Sequence, residues 1–122
     1  MVDLVELALP WPPSTNRLWR CPTSGKLRGR HLLSTEARRY KDNARHALEA
    51  QDVEPIPGHV AVDMVAHPPD RRRRDLDNII KIILDCLKGR AFGDDSNVVD
   101  IHIRRGEVEP GGMVKVQVRP AA

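Results

Sequence analysis

The run from Arg71 to Asn78, with the sequence RRRRDLDN, joins two segments of different periodicity and most constrains how the chain can fold. Before it, His59 to His67 alternates apolar and polar residues, as a strand with one buried face does. After it, Ile79 to Leu87 repeats apolar residues at helical spacing and stops before Gly89. The sequence therefore predicts a strand and a helix joined by a linker that carries both arginines and aspartates.

Three further strands and one further helix are predicted on the same grounds. Val2 to Leu9 is a short apolar run ended by prolines, and it predicts the first strand. A helix should follow the capping residues at its start and run from Ser34 to about Gln51. The alternating segments Val99 to Arg104 and Val114 to Arg119 flank a Pro-Gly-Gly turn, and they predict a terminal hairpin.

The predicted order is β-α-β-α-β-β, which favours an α+β fold with a mixed four-stranded sheet packed against two helices. A length of 122 residues suits a single domain over residues 1–122. No apolar run approaches the roughly 20 residues needed to cross a bilayer. Cys21 and Cys86 have neither the number nor the spacing of a disulfide framework or a zinc site. We therefore expect a soluble, cytoplasmic protein with no membrane partner.

Basic residues accumulate between Ser14 and Ser34 without an acidic residue among them. They are Arg17, Arg20, Lys26, Arg28 and Arg30. The segment is either a solvated, mobile connection or an arm that binds the phosphates of a nucleic acid. Aromatic residues make up only 3% of the chain, which disfavours a base-stacking platform and favours recognition of backbone and shape.

Aspartates flank the second helix on both sides. If Asp77 caps that helix, the chain enters it extended, so that Asp75 and Asp77 share one side and Leu76 turns into the core. Lys81 would lie on the same side one turn later, where it can stabilise the charge of a phosphate. Asp94 and Asp95 follow the helix and return to this neighbourhood if the next strand pairs beside the strand His59 to His67.

Carboxylates without a supporting cysteine or histidine cluster suit Mg²⁺ or Mn²⁺. The four carboxylates would repel one another without a cation, so added Mg²⁺ should stabilise the fold. Aspartates at helix starts and turns also have purely structural uses, and this remains the alternative interpretation. His67, Asp100 and His102 are interpreted as strand-face residues, and Asp85 as the surface ion-pair partner of Lys81 or Lys88.

These features together resemble the RusA family of Holliday junction resolvases. The matching pieces are Leu9-Pro10-Trp11-Pro12-Pro13-Ser14-Thr15-Asn16-Arg17, Pro69 to Asn78, Lys81, and Asp94-Asp95 leading into Val98-Val99-Asp100. The resemblance spans nearly the whole chain. It implies a small homodimeric, Mg²⁺-dependent endonuclease that recognises four-way and branched DNA and nicks two strands symmetrically, in DNA recombination and repair.

The resemblance also implies roles for individual residues. Asp75 and Asp77 match the paired acidic residues of the family, Asp95 the third catalytic aspartate, and Lys81 the supporting basic residue. Asp94 matches a neighbour of lesser importance and joins the expected metal ligands. From the charge pattern, Arg71, Arg72, Arg73 and Arg74 are expected to contact DNA, together with Arg17, Arg20, Lys26, Arg28 and Arg30 of the basic segment.

Two other functions use the same residues. In the first, the chain is a non-catalytic DNA-binding module, and its aspartates only cap and turn the chain. In the second, it is a metal-dependent hydrolase of small phosphorylated molecules, which has no need for the basic segment. The resolvase hypothesis differs from both in requiring metal, junction DNA and the basic residues together.

Overall fold

The computed structural model describes residues 4–13, 19–30 and 32–121, and the side chains of Trp19 and Arg20 are outside this description. The strands are β1 (Val5–Pro10), β2 (Trp19–Arg20), β3 (Leu32–Leu33), β4 (Val60–His67), β5 (Val98–Arg105) and β6 (Met113–Pro120). The helices are α1 (Thr35–Ala50) and α2 (Ile80–Leu87), with 3₁₀ turns at Leu76–Ile79 and Asp95–Asn97. The α+β prediction with two helices and a mixed four-stranded sheet is therefore confirmed. None of the described helices is long and apolar enough to cross a membrane.

The main sheet has the order β1-β6-β4-β5. β6 lies antiparallel to both β1 and β4, and β5 lies parallel to β4 at one edge. The predicted terminal hairpin is therefore wrong, because β5 and β6 are separated by β4. The connection between them crosses the end of β4 and bonds to it, with Gly106 N donating to Ala66 O and Glu109 N to Pro68 O.

The hydrophobic core lies between one face of the sheet and the two helices. β4 and β6 supply alternating buried residues, among them Val62, Met64 and Val116. α1 begins where the sequence predicts, because the Ser34 hydroxyl accepts a hydrogen bond from Ala37 N at 3.0 Å. α2 is short and apolar, and it buries Ile82, Ile83, Cys86 and Leu87. The opposite face of the sheet is polar and carries an ion pair between Asp63 and Arg119.

The basic segment contains more structure than its sequence indicates. β2 and β3 pair antiparallel, so that residues 21–30 form the tip of a two-stranded ribbon. Turn hydrogen bonds order this tip, including Gly29 N to Pro22 O at 3.0 Å. A two-residue strand is too short to produce a detectable alternation, which is why the sequence did not reveal it.

Gly112 allows the connection before β6 to approach Trp11 closely. A Cβ atom at Gly112, where φ is +73°, would lie 2.8 Å from Trp11 Cβ, whereas one at Gly111, with φ +80°, would meet nothing within 4 Å. We expect Gly111→Ala to cost about 1–2 kcal/mol for the left-handed backbone alone. Gly112→Ala should cost about 1–3 kcal/mol more, because overpacking adds to the backbone strain. Urea denaturation of both variants measures the difference, and equal losses would contradict the close packing on Trp11.

Candidate active site

The last arginine of the run is bound within the protein. Arg74 Nη1 donates to Asp70 Oδ1 at 2.7 Å, and its guanidinium carbon lies 5.6 Å from the centroid of the Trp11 ring. The hydrogen bond from Arg74, with a second from Arg72 N, lowers the pKa of the Asp70 carboxyl. Arg105 Nη2 donates to the Arg74 backbone oxygen at 2.7 Å. These contacts fix the linker as it leaves β4.

The other three arginines of the run are exposed. The side chain of Arg72 lies 3.8 Å from Asp70, while those of Arg71 and Arg73 form no ion pair with any residue in the described ranges. Arg71 and Arg73 are thus the cations of the run most free to meet a phosphate. Their role in DNA binding remains a prediction.

The start of the second helix differs from the sequence prediction. Asp75 is the capping position, with extended backbone at φ −98° and ψ 128°, and a 3₁₀ turn begins at Leu76. Asp77 lies inside that turn, so the prediction that it caps the helix is wrong. The argument that Asp75 and Asp77 share a side because both are extended fails with it. Leu76 does pack against the core, as predicted.

Both aspartates nevertheless have carboxylates without a partner among the described residues. Asp75 and Asp77 are exposed, and neither accepts a side-chain hydrogen bond from the described part of the chain. A capping aspartate normally accepts one from the first turn of its helix. The absence of that bond at Asp75 leaves its oxygens available to a ligand.

Lys81 lies at the start of α2 and pairs along the helix. Its Nζ donates to Asp85 Oδ1 at 2.9 Å, and Lys41 Nζ of α1 lies 3.9 Å from the other oxygen of Asp85. The Asp85 hydrogen bond and charge raise the pKa of Lys81, and the charge of Asp95 raises it further. Both carboxylates therefore favour the protonated form of Lys81. The predicted ion pair between Lys81 and Asp85 is confirmed.

The two aspartates before β5 have different environments. Asp94 caps the 3₁₀ turn Asp95–Asn97, accepting from Ser96 Oγ at 2.7 Å and from Ser96 N at 3.1 Å, and its other oxygen lies 3.5 Å from Lys88 Nζ. These hydrogen bonds, first that of the Ser96 hydroxyl, lower the pKa of Asp94 to about 2. Because the folded-state pKa lies below the ordinary value of 3.8, Asp94 stabilises the fold above that pH and loses this contribution as the pH falls through about 2.

The carboxylate of Asp95, unlike that of Asp94, has an oxygen without a hydrogen-bond partner in the described structure. Its Oδ1 atom is buried, yet it has no hydrogen-bond partner among the residues that the structure describes. Such an atom is costly in a folded protein unless a ligand, ion or water satisfies it. The carboxylate of Asp94 thus caps the turn, whereas Asp95 Oδ1 can still bind a ligand.

The sheet brings these groups together only in part. β5 pairs beside β4, as the sequence argument required, and the 3₁₀ turn at Leu76–Ile79 packs against β5. Across residues 4–13, 19–30 and 32–121, however, no three carboxylate, histidine or cysteine side chains lie close enough together to hold a metal ion. The oxygen donors suit Mg²⁺ chemically, and the unpartnered Asp95 oxygen suits it structurally, but the described arrangement does not gather Asp75, Asp77 and Asp95 into one ligand set.

The described part of the basic segment carries exposed basic side chains. Lys26, Arg28 and Arg30 are exposed at the tip of the β2–β3 ribbon. Arg17 lies outside the described residues, and Arg20 lies on β2 without a described side chain. The paired strands favour the interpretation of this segment as an arm over its interpretation as a structureless connection. Its contact with DNA remains a prediction.

Sequence reasoning overlooked three residues that shape the site. Asp70 binds Arg74, Trp11 stacks on Arg74, and Arg105 binds the linker backbone. The spacing of four residues between Asp70 and Arg74 was a signal for the first contact. The other two join residues that are distant in sequence, so local patterns carried no signal for them.

Comparison with known proteins identifies the family. The family model described as Endodeoxyribonuclease RusA matches residues 10–119. The chain is 36% identical over 119 residues to the crossover junction endodeoxyribonuclease rusA of Enterobacteria phage 82, covering 96% of this chain and 95% of the relative. Relatives of the same name from Shigella sonnei and Escherichia coli show the same identity and coverage. The chain belongs to the RusA family.

The RusA match contains every element of the candidate site. It begins at the end of β1, just before Trp11, and continues through the arginine run and α2 to β6. The resemblance inferred from the linker motif is therefore confirmed over most of the chain. The relatives carry the name crossover junction endodeoxyribonuclease.

Proposed function

We propose that this protein is a crossover junction endodeoxyribonuclease that resolves four-way DNA junctions by paired, symmetric nicks, in recombination and repair. The observation that carries the proposal is the buried oxygen of Asp95, which has no hydrogen-bond partner among the described residues, in a chain of the RusA family. A carboxylate oxygen available to a ligand suits phosphodiester chemistry, in which a metal must be held, and the Lys81 ammonium, whose protonated form Asp85 and Asp95 favour, suits the holding of a phosphate.

Asp75, Asp77 and Asp95 are the proposed ligands of Mg²⁺, or of Mn²⁺, with Asp94 as a neighbour that fixes the turn. Bound metal would polarise the phosphodiester and lower the pKa of an attacking water. The residues of the chain hold the reactants around it. Asp75 and Asp77 have exposed carboxylates that no described residue binds and that can turn towards a cation, and Asp95 offers an oxygen that the described residues leave unsatisfied.

Basic side chains supply the affinity for DNA. Lys81, whose side chain is 56% exposed, can stabilise charge on the phosphate that is attacked. Arg71 and Arg73 adjoin the site, and the ribbon residues Lys26, Arg28 and Arg30 extend the basic surface. Each phosphate neutralised in this way should add about 0.9 to the salt slope of log affinity.

A homodimer is the proposed active form. One chain of 122 residues offers one candidate site, while resolution of a junction requires nicks in two strands. Two-fold symmetry provides two equivalent sites without a longer chain, and it matches the symmetry of the junction.

The test is a synthetic mobile four-way junction incubated with protein and Mg²⁺. We expect paired nicks in opposite strands, and an intact junction at high enzyme concentration would overturn the proposal. Asp77→Asn should reduce nicking by about a hundredfold or more, because a ligand charge of the metal is lost. Junction binding by this variant, measured by gel shift, should persist or tighten, since a negative charge near phosphate has been removed.

The same assay distinguishes the non-catalytic binding module. A module would bind the junction in a salt-dependent manner but would cut neither with nor without Mg²⁺. In that case Asp77→Asn would change nothing except affinity.

A further inference from the structure

A cavity of about 170 Å³ lies directly beside Asp75. It is formed by the end of β1, the linker after β4, the 3₁₀ turn and the connection after β5. Its lining includes apolar side chains, among them Trp11, Leu76, Ile79 and Val108. Charged side chains line it as well, namely Arg71, Arg72, Arg74, Arg105, Asp70 and Asp75. The cavity thus combines apolar side chains with four arginines and two aspartates, one of which is a proposed metal ligand.

The residues that line the cavity are held in place by hydrogen bonds and close packing. The Tyr40 hydroxyl donates to Pro10 O at 2.7 Å and fixes the chain immediately before Trp11. Gly112 packs against the back of Trp11, where a side chain would clash. Asp70 holds the guanidinium of Arg74 against the indole ring. A cavity with walls fixed in this way loses little entropy when a ligand enters.

The size and lining of the cavity define the ligand. An engineered apolar cavity of about 150 Å³ binds benzene, so about 170 Å³ accommodates one six-membered ring, the size of a pyrimidine. Indole and guanidinium planes stack on nucleobases. A phosphate alone would not require apolar walls, and an apolar ligand would not require a border of arginines. A nucleotide of a DNA strand meets both requirements.

We propose that this cavity receives one unstacked base of the cleaved DNA strand, at a nucleotide adjacent to the phosphate that is cut. The inference rests on the proposed function, because Asp75 both lines the cavity and is a proposed metal ligand. Insertion of a base would anchor the neighbouring phosphate at the carboxylates. Unstacking costs least where bases are already poorly paired, as at the branch point of a junction. The low aromatic content is no obstacle, since one base needs only the apolar surface that Trp11 shares with Leu76 and Val108 and the plane of one arginine.

Substitutions at Val108 provide the test. This residue is 43% exposed at the cavity, so neither a larger nor a smaller side chain there disrupts the core. Val108→Trp should fill the cavity, and Val108→Ala is the matched control that leaves it open. Equal melting temperatures establish that both variants are folded. A fluorescent pyrimidine analogue is placed in turn at each position around the branch point, and its emission is measured on binding in EDTA, where no cleavage occurs.

The expected result is a rise in emission at one position with wild type and Val108→Ala, and none with Val108→Trp. In Mg²⁺, an abasic nucleotide at that position should slow nicking by the wild type about tenfold, because the stacking free energy of one base is lost. The same abasic nucleotide should not slow nicking by Val108→Trp any further. Absence of any position-specific rise, or an abasic effect of equal size in Val108→Trp, would overturn the inference. A rise in emission without nicking in Mg²⁺ would instead support the base site and overturn the proposed nuclease.

Discussion

Replacement of Asp95 by asparagine is expected to slow junction nicking by roughly a thousandfold, while the same change at Asp94 should leave most of the activity. A thousandfold loss corresponds to about 4 kcal/mol of transition-state stabilisation, a reasonable share for one charged ligand of a catalytic metal. Single-turnover nicking at saturating enzyme measures the effect without interference from weaker binding.

The expected difference follows from the partners of the two carboxylates. Both oxygens of Asp94 are engaged, one with Ser96 and the other near Lys88. Asparagine caps turns almost as well as aspartate, so Asp94→Asn should preserve the turn. Asp95 Oδ1 has no partner in the described chain, and the negative charge of Asp95 contributes to the raised pKa of Lys81. Removal of that charge takes away a proposed ligand without breaking any hydrogen bond that the structure describes.

Thermal unfolding gives a second measurement that does not depend on activity. If Asp95 binds Mg²⁺, the cation should raise the melting temperature of wild type and of Asp94→Asn but not of Asp95→Asn. A ligand at a hundred times its dissociation constant stabilises a fold by about 2.7 kcal/mol, which is easily measured. Equal loss of nicking in both variants, with an unchanged response to Mg²⁺, would contradict the assignment of Asp95 as the principal third ligand.

Local sequence patterns predicted the elements well because each rests on a local physical cause. The Ser34 cap set the start of α1, and the alternation in β4 identified its buried face. The neighbours of each strand were harder to predict, since a period of two defines faces and not pairing. β6 is central, with Val114, Val116 and Val118 buried, whereas β5 lies at the edge and exposes Val99 and Ile101. A hairpin prediction could not detect that the connection crosses β4.

The sequence indicated the residue types of the candidate site but not their geometry. Acidic and basic residues in one motif predict metal and phosphate chemistry, and the family match covers this motif, while the metal remains a prediction. The 3₁₀ turn at Leu76 was not predictable, because the sequence does not distinguish it from an ordinary first turn of an α-helix. The distinct environments of Asp94 and Asp95 depend on Ser96, Lys88 and the packing of β5, which sequence spacing alone does not determine.

Phe92→Ala should destabilise the protein by about 3–5 kcal/mol, the usual cost of emptying a buried aromatic site. Phe92 is completely buried, and it lies in the connection that leads from α2 to Asp94 and Asp95. Its backbone oxygen accepts a hydrogen bond from Gly89 N at 2.7 Å, and the preceding residue, Ala91, accepts one from Ile56 N at 2.9 Å. Since small domains are stable by about 5–15 kcal/mol, the variant should approach the unfolding threshold.

Val99→Ala is the control for this prediction. Val99 lies on β5, shortly after Asp95 in the sequence, and its side chain is 53% exposed. Its truncation should therefore change the free energy of unfolding by less than about 1 kcal/mol. Urea denaturation followed by circular dichroism compares the two variants. Similar losses in both would show that Phe92 does not anchor the connection.

The milder Phe92→Leu variant relates this anchor to the active site. It should remain folded while loosening the connection, and therefore the position of the Asp95 carboxylate. If Asp95 is a metal ligand, binding of Mg²⁺ must overcome the mobility of its carboxylate, and a looser connection increases that cost. We expect the Mg²⁺ concentration for half-maximal nicking to rise several-fold in Phe92→Leu and to stay unchanged in Val99→Ala. An unchanged Mg²⁺ requirement in Phe92→Leu would mean that Asp95 is positioned by β5 alone.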